Sequence, residues 1–148
     1  MSRRRDALAR AYRRARYRVA DGDAAFDMRI GEPCEPLRAL MARRGVGRAA
    51  FLTACNPRSV RRSDDDNRAA QALLRAAVES AGFVVFDGAG LDPDGDWPPE
   101  PSLLVLGIDR ERAAALAERF GQNAFVWLAA DATPVLVWTG APDDAGHG

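Results

Sequence analysis

The stretch Phe51-Leu52-Thr53-Ala54-Cys55-Asn56-Pro57, with the helix that follows, constrains the fold more than any other part of the chain. Residues 49–55 are short and almost continuously apolar, the pattern of a central strand buried on both faces. The run breaks at Asn56-Pro57, and Ser63-Asp64-Asp65-Asp66-Asn67 opens a long helix. Ser63 is a good N-cap, and the three aspartates suit the electropositive helix end. The helix reaches about Ala81, with Gly82 as its left-handed terminator. Phe83-Val84-Val85-Phe86 is the next strand. Strand, helix and strand of these lengths form a right-handed parallel crossover when both strands share a sheet. Ligand sites in open α/β architectures lie where strand ends meet such loops, which makes the junction at 53–67 the candidate site.

Other segments read around this unit. Leu8, Ala11, Tyr12 and Ala15 place an apolar stripe on a helix over 3–15 whose other face is almost all arginine. Arg16–Val19 and Phe26–Ile30 alternate as strands about Asp21-Gly22-Asp23, giving a hairpin with a loop a little longer than the tightest type. Pro36 starts a helix that ends at Gly45 and buries Leu37, Leu40 and Met41. Residues 87–101, rich in Asp, Gly and Pro, read as a long loop. A strand follows over 103–108, then a helix over 110–120 capped by Asp109, then strands over 124–129 and 134–138. The expected fold is a single α+β domain over 1–138. Its mixed β-sheet has an N-terminal hairpin, a central βαβ crossover and C-terminal antiparallel strands, with helices packed on it. Residues 139–148 read as a flexible tail.

A chain of 148 residues is long enough for one core. No apolar run approaches the ~18 residues that a membrane-spanning helix needs. The N-terminus lacks the apolar centre of a secretory signal, so a cytoplasmic location without membrane contact is expected. Cys34 and Cys55 make neither a disulfide framework nor a metal site. Net charge is zero, yet residues 1–62 hold 16 arginines and 6 acids, whereas 63–148 hold 5 and 15. The halves either neutralise each other within the fold or present a basic surface to nucleic acid or an acidic protein. The sequence sets no oligomeric state.

Thr53-Ala54-Cys55-Asn56-Pro57-Arg58-Ser59, Ser63, Asn67, the block from Trp97 to Ile108, and Phe120-Gly121-Gln122-Asn123-Ala124 occur in this order. Together they resemble the bacterial domain-of-unknown-function family 3293, from about Tyr12 to Trp138. Cys55 stands where that pattern more often has an aromatic residue. The resemblance implies a small single α+β domain and no established activity.

The chain has no lysine, three asparagines and two glutamines, so its amides stand out. Thr53, Asn56 and Ser59 follow the central strand, and Asn67 lies one turn into the next helix. Glu100 and Ser102 precede the strand at 103; Gln122 and Asn123 precede that at 124. If these strands run antiparallel to the central one, all gather at its end. There they can hydrogen-bond a polar small molecule, with a nucleotide-like compound suggested by Trp97 as a stacking lid. The same residues also suit plain loop capping. Glu100 is the candidate general base of a metal-independent enzyme. The third reading is an interaction module using Arg3, Arg4, Arg5, Arg10, Arg13 and Arg14 on nucleic acid or an acidic protein. Arg58, Arg61 and Arg62 are opposed as an anion site by the three aspartates beside them. His147, the only histidine, lies far from the core, so no Ser-His or Cys-His pair is expected. No Gly-rich phosphate loop is present and no cofactor is expected.

Overall fold

In the computed structural model, which describes residues 3–140, every residue of the strand Ala49–Leu52 (β3) is buried. Successive side chains of a strand point to opposite faces. Ala49 and Phe51 thus enter one core, and Ala50 and Leu52 the other. Before β3 come helix α1 (Arg3–Arg14), strands β1 (Arg16–Asp21) and β2 (Ala24–Met28), and helix α2 (Glu35–Arg44). After it come α3 (Asp64–Ser80), β4 (Val84–Leu91), β5 (Glu100–Leu106), α4 (Arg110–Arg119), β6 (Ala124–Leu128) and β7 (Val135–Trp138). Helix α2 covers the first face with Leu37, Leu40 and Met41. Helices α3 and α4 cover the second with Leu74, Val78, Ala113 and Ala117.

All seven strands form one sheet in the order β2-β1-β4-β5-β3-β6-β7. The chain is an α+β domain, as expected. Strands β3 and β4 run in the same direction around α3, since each is antiparallel to β5. They are not hydrogen-bonded to each other, however, because β5 lies between them, and every pairing in the sheet is antiparallel. The sheet is therefore not mixed in its pairings. The cause is a hairpin: β4 turns back through residues 92–99 and lays β5 against itself.

Two loops are shorter than the sequence suggests. The N-terminal hairpin pairs Asp21 with Ala24, so only Gly22 and Asp23 turn the chain, with Gly22 at φ 61. Such a tight turn needs a left-handed residue at its first position. Strand β4 also continues through Gly88-Ala89-Gly90, read above as loop. A Cβ on Gly88 would stand 2.5 Å from the Arg18 carbonyl oxygen and 2.7 Å from Cε1 of Phe51. Glycine here serves close approach inside a strand.

The helix ends follow their local chemistry. Ser63 Oγ accepts from Asp66 N at 3.1 Å, and Asp109 Oδ2 accepts from Arg112 N at 3.1 Å. Gly82 takes φ 90 just beyond Ala81. Helix α1 differs in having no buried residue. It is held at its ends and side: Arg4 donates to the Arg58 carbonyl at 2.7 Å, Arg5 lies 4.4 Å from the Trp138 ring centroid, and Arg14 pairs with Asp94 at 2.7 Å. Of the expected tail, Thr139 is buried and donates its hydroxyl to the Gln122 carbonyl. The remainder from 141 on, with His147, lies outside the described residues. Among the described residues, no helix is long and apolar enough to cross a membrane.

Candidate functional site

Antiparallel pairing brings the beginnings of β5 and β6 beside the end of β3. Leu52 stands opposite Leu103, and Phe51 opposite Val126. Thr53, just past β3, donates its hydroxyl to the Pro101 carbonyl at 2.8 Å and accepts from Cys55 N at 3.1 Å. Ala54 N donates to Gln71 Oε1 at 2.9 Å.

Asn56 is the hub of the loop. Its Nδ2 donates to Glu100 Oε2 at 2.8 Å. Its Oδ1 accepts from Arg62 N at 2.8 Å and from Asn67 Nδ2 at 3.0 Å. Its own N–H donates to Asn67 Oδ1 at 2.8 Å. Asn56, Arg58 and Ser59 all have positive φ, at 47, 58 and 61. Asparagine tolerates this conformation well; arginine and serine pay for it in local strain, which must be offset by the surroundings. The offset is visible: Arg58 N donates to the Gly121 carbonyl at 2.7 Å, and Asn123 Nδ2 donates to Ser59 Oγ at 3.1 Å. Gly121 admits the loop, since a Cβ there would lie 2.8 Å from Cβ of Pro57. Gln122 Nε2 braces the other side by donating to the Cys55 carbonyl at 2.9 Å.

Between this loop and α1 lies a cavity of about 280 Å³. Tyr17, Phe51, Val126 and Leu136 line it from the sheet, and Leu8, Ala11 and Tyr12 from α1. A row across the sheet explains the opening. Tyr17 is paired with Gly90, and Gly90 with Glu100, so the three share one face. With no side chain at Gly90, space remains between the tyrosine and the carboxyl. Thr53, Asn56, Ser59, Glu100, Ser102 and Gln122 supply polar groups, and Trp97, 42% exposed, stands at the rim.

Seven of the nine residues singled out in the sequence thus line one cavity. Asn67 and Asn123 stand behind it, on Asn56 and Ser59. Asn67 instead borders a second recess with Arg61, Arg62 and Arg68, for which Asn56 and Glu100 form a shared wall. Sequence reasoning missed Tyr12 and Tyr17. They are the only tyrosines in the chain, so the rarity argument applied to the amides would have found them.

Burial pushes the Glu100 carboxyl above its ordinary value, opposed by the hydrogen bond from Asn56. Both phenols are raised by burial, and the Glu100 charge adds to this. Tyr17 donates its hydroxyl to the Tyr12 carbonyl at 2.6 Å. Burial likewise raises the Cys55 and Cys34 thiols, which leaves them poor nucleophiles at neutral pH. Among the described residues, no three His, Cys, Asp or Glu side chains are placed to share a metal ion. The arrangement can accept a hydrogen bond or a proton at Glu100 and offer apolar and aromatic surface beside it.

The family model described as "Protein of unknown function (DUF3293)" matches residues 52–125, half of the chain. The chain belongs to the DUF3293 family. No curated protein and no solved structure matches it. The DUF3293 match runs from the end of β3 into β6 and contains all nine residues singled out above. Tyr12 and Tyr17, on α1 and β1, fall outside it. The matched DUF3293 segment therefore supplies the polar end of the cavity, and the segments flanking it supply much of the apolar wall.

Proposed function

We propose that this DUF3293 domain binds a polar small molecule in the cavity beneath α1. The ligand's hydrogen-bonding head faces Glu100, and its apolar part rests on Tyr17, Phe51 and Val126. The observation that carries this reading is a partly buried carboxyl, oriented by an asparagine whose side-chain oxygen already accepts two hydrogen bonds, at the polar end of an otherwise apolar cavity. Burial of a charged group costs free energy, and a strained loop adds to that cost. Both are features that recur at ligand sites. A nucleotide-like ligand fits at its base, against aromatic walls. Its phosphates would have to face away from Glu100, which also walls the separate recess that holds Arg61 and Arg62.

Glu100 acting as a general base is a second reading, favoured by its raised proton affinity. It requires turnover that Glu100→Gln abolishes in a folded protein. The interaction-module reading has less support, because Arg4, Arg5 and Arg14 already hold partners within the fold.

A thermal-shift screen against nucleosides, nucleotides, amino acids, amines and sugar phosphates tests the proposal. A ligand specific to the native state raises stability by RT ln(1 + [L]/Kd). The expected result is a shift that disappears in Leu136→Trp, which fills the cavity. A shift unchanged by that substitution would place the binding elsewhere and defeat the reading.

A further inference from the structure

The chemistry of the cavity wall narrows the ligand class, an inference that rests on the cavity being a binding site. We infer that the cavity takes an organic cation, an ammonium group on an apolar or aromatic body, with its nitrogen at Glu100.

Among the described residues, Glu100 is the only charged one that lines the cavity. The chain has 21 arginines, yet none lines it, and none of those described forms an ion pair with Glu100. Arg61, Arg62 and Arg68 stand on the far side of the wall that Glu100 shares with the second recess, and the charge of Arg4 reaches Tyr12, but on the cavity side the carboxyl has no guanidinium partner. A carboxylate facing a cavity attracts a cation and repels an anion there. Asn56 covers only Oε2 of the carboxyl; among the described residues, Oε1 accepts no hydrogen bond from the protein. The amide itself has no spare acceptor to offer, since Oδ1 already receives two donors. Glu100 borders this cavity and two adjoining recesses, and its open carboxylate oxygen calls for a donor and favours a charged one. Tyr12, Tyr17 and Phe51 belong to the lining, as does Trp97, whose ring centroid already has the Arg61 guanidinium 5.9 Å away. Aromatic rings attract ammonium groups through their quadrupoles, and the attraction grows as water is excluded. An aromatic-lined cavity with one carboxylate meets an organic amine on both its apolar and charged sides.

Three probes of nearly equal size separate the possibilities: phenethylamine, 2-phenylethanol and phenylacetate, titrated at neutral pH. Binding is read from the side-chain amide resonances of Asn56 and Gln122, which line the cavity. The expected result is that phenethylamine binds on the order of tenfold more tightly than the alcohol, as a charge-assisted hydrogen bond requires. Phenylacetate leaves the resonances unmoved. In Glu100→Gln the amine loses its advantage over the alcohol. The alcohol or the acid binding as well as the amine overturns the cation inference and leaves the cavity reading intact. So does an amine preference that survives in Glu100→Gln. If none of the probes moves these resonances, the cation inference is likewise overturned, and the broad screen alone then decides the cavity reading. The comparison on the unaltered protein stands even if the variant does not fold.

Discussion

Asn56 donates Nδ2 to Glu100 Oε2 at 2.8 Å, although 44 positions separate the two residues in the chain. The bond ties the loop after β3 to the first residue of β5. Through Oδ1 the same side chain holds Arg62 N and Asn67 Nδ2, and thus the approach to α3. These partners also fix the amide's orientation, with nitrogen toward the carboxyl and oxygen toward the two donors.

Asn56→Ala should therefore be among the costlier single changes in the domain. It leaves several partly buried polar groups without partners, at roughly 1–3 kcal/mol for each that stays unsatisfied. It also places a Cβ-bearing residue without local hydrogen bonds at φ 47, a further cost of about 1–2 kcal/mol. Asn56→Gly incurs the first cost without the second. Urea unfolding should rank the parent above the glycine variant and the glycine above the alanine. Equal midpoints for the two variants would show that the left-handed backbone is not what asparagine supports here.

Glu100→Gln should change how stability depends on pH. The Glu100 carboxyl is raised in the fold from its ordinary 4.5. A group with a raised native pKa stabilises the fold at pH below the unfolded value, and that stabilisation is lost as pH rises through the native value. Glutamine cannot ionise and suffers no such loss, while its amide oxygen can still accept from Asn56. The variant should gain on the parent as pH climbs from about 4.5, then hold a constant margin once Glu100 is ionised in both states. Paired unfolding curves across this range measure it. A margin constant from acid to neutral pH is the outcome that rules this out.

Gly88 and Gly90 should respond oppositely to alanine. At Gly88 the new Cβ meets a carbonyl of the paired strand at 2.5 Å and the Phe51 ring at 2.7 Å. Neither can withdraw cheaply, and overpacking of this kind costs about 1–3 kcal/mol. At Gly90 the nearest atoms are 3.9 and 4.0 Å away. Alanine there should be neutral to slightly stabilising, since it restricts the unfolded chain. Its methyl would nevertheless project between Tyr17 and Glu100 and weaken any ligand found in the cavity. Calorimetric unfolding of both variants, with titration of the second, provides the check. Equal losses of stability would contradict the close approach at Gly88.

Helix α1 should open more readily than the rest of the domain. It buries no residue, and its ties include contacts of Arg4, Arg5 and Arg14, the hydrogen bond from the Tyr17 hydroxyl to the Tyr12 carbonyl and the T-shaped contact of Tyr12 with Trp138, whereas α3 buries Leu74 and Val78. Amide exchange should be far faster in α1 than in α3, and Trp138→Ala should accelerate it in α1 selectively. Protection in α1 equal to that of β3 would defeat this expectation.

What was legible in the sequence was local chemistry. Ser63, Asp109 and Gly82 announce helix ends because a cap depends on a few neighbouring residues. The double-sided burial of β3 follows from its unbroken apolarity. Strand order was not legible: that β5 rather than β4 flanks β3 depends on pairing between distant segments, which leaves no local mark. Gly88-Ala89-Gly90 read as loop because glycine usually means freedom, whereas here Gly88 means crowding. The polar end of the cavity could be read because its amides are scarce. Gln122 shows the limit of that reading, since its Nε2 braces the Cys55 carbonyl even as the residue lines the cavity. Tyr12 and Tyr17 were hidden within an amphipathic stripe and an alternating strand.

The place of β5 between β3 and β4 also bears on how the chain must fold during synthesis. When residues up to Leu91 have left a ribosome, both strands of the crossover exist, but the slot between them is empty. Each presents an unpaired edge, the kind of surface on which strands of other molecules can dock. The next segment to emerge fills that slot, and residues 92–99 bring it back. Their length is thus a mechanical requirement: the connection must reverse the chain fast enough that the vacancy is closed by its own strand before a neighbour's.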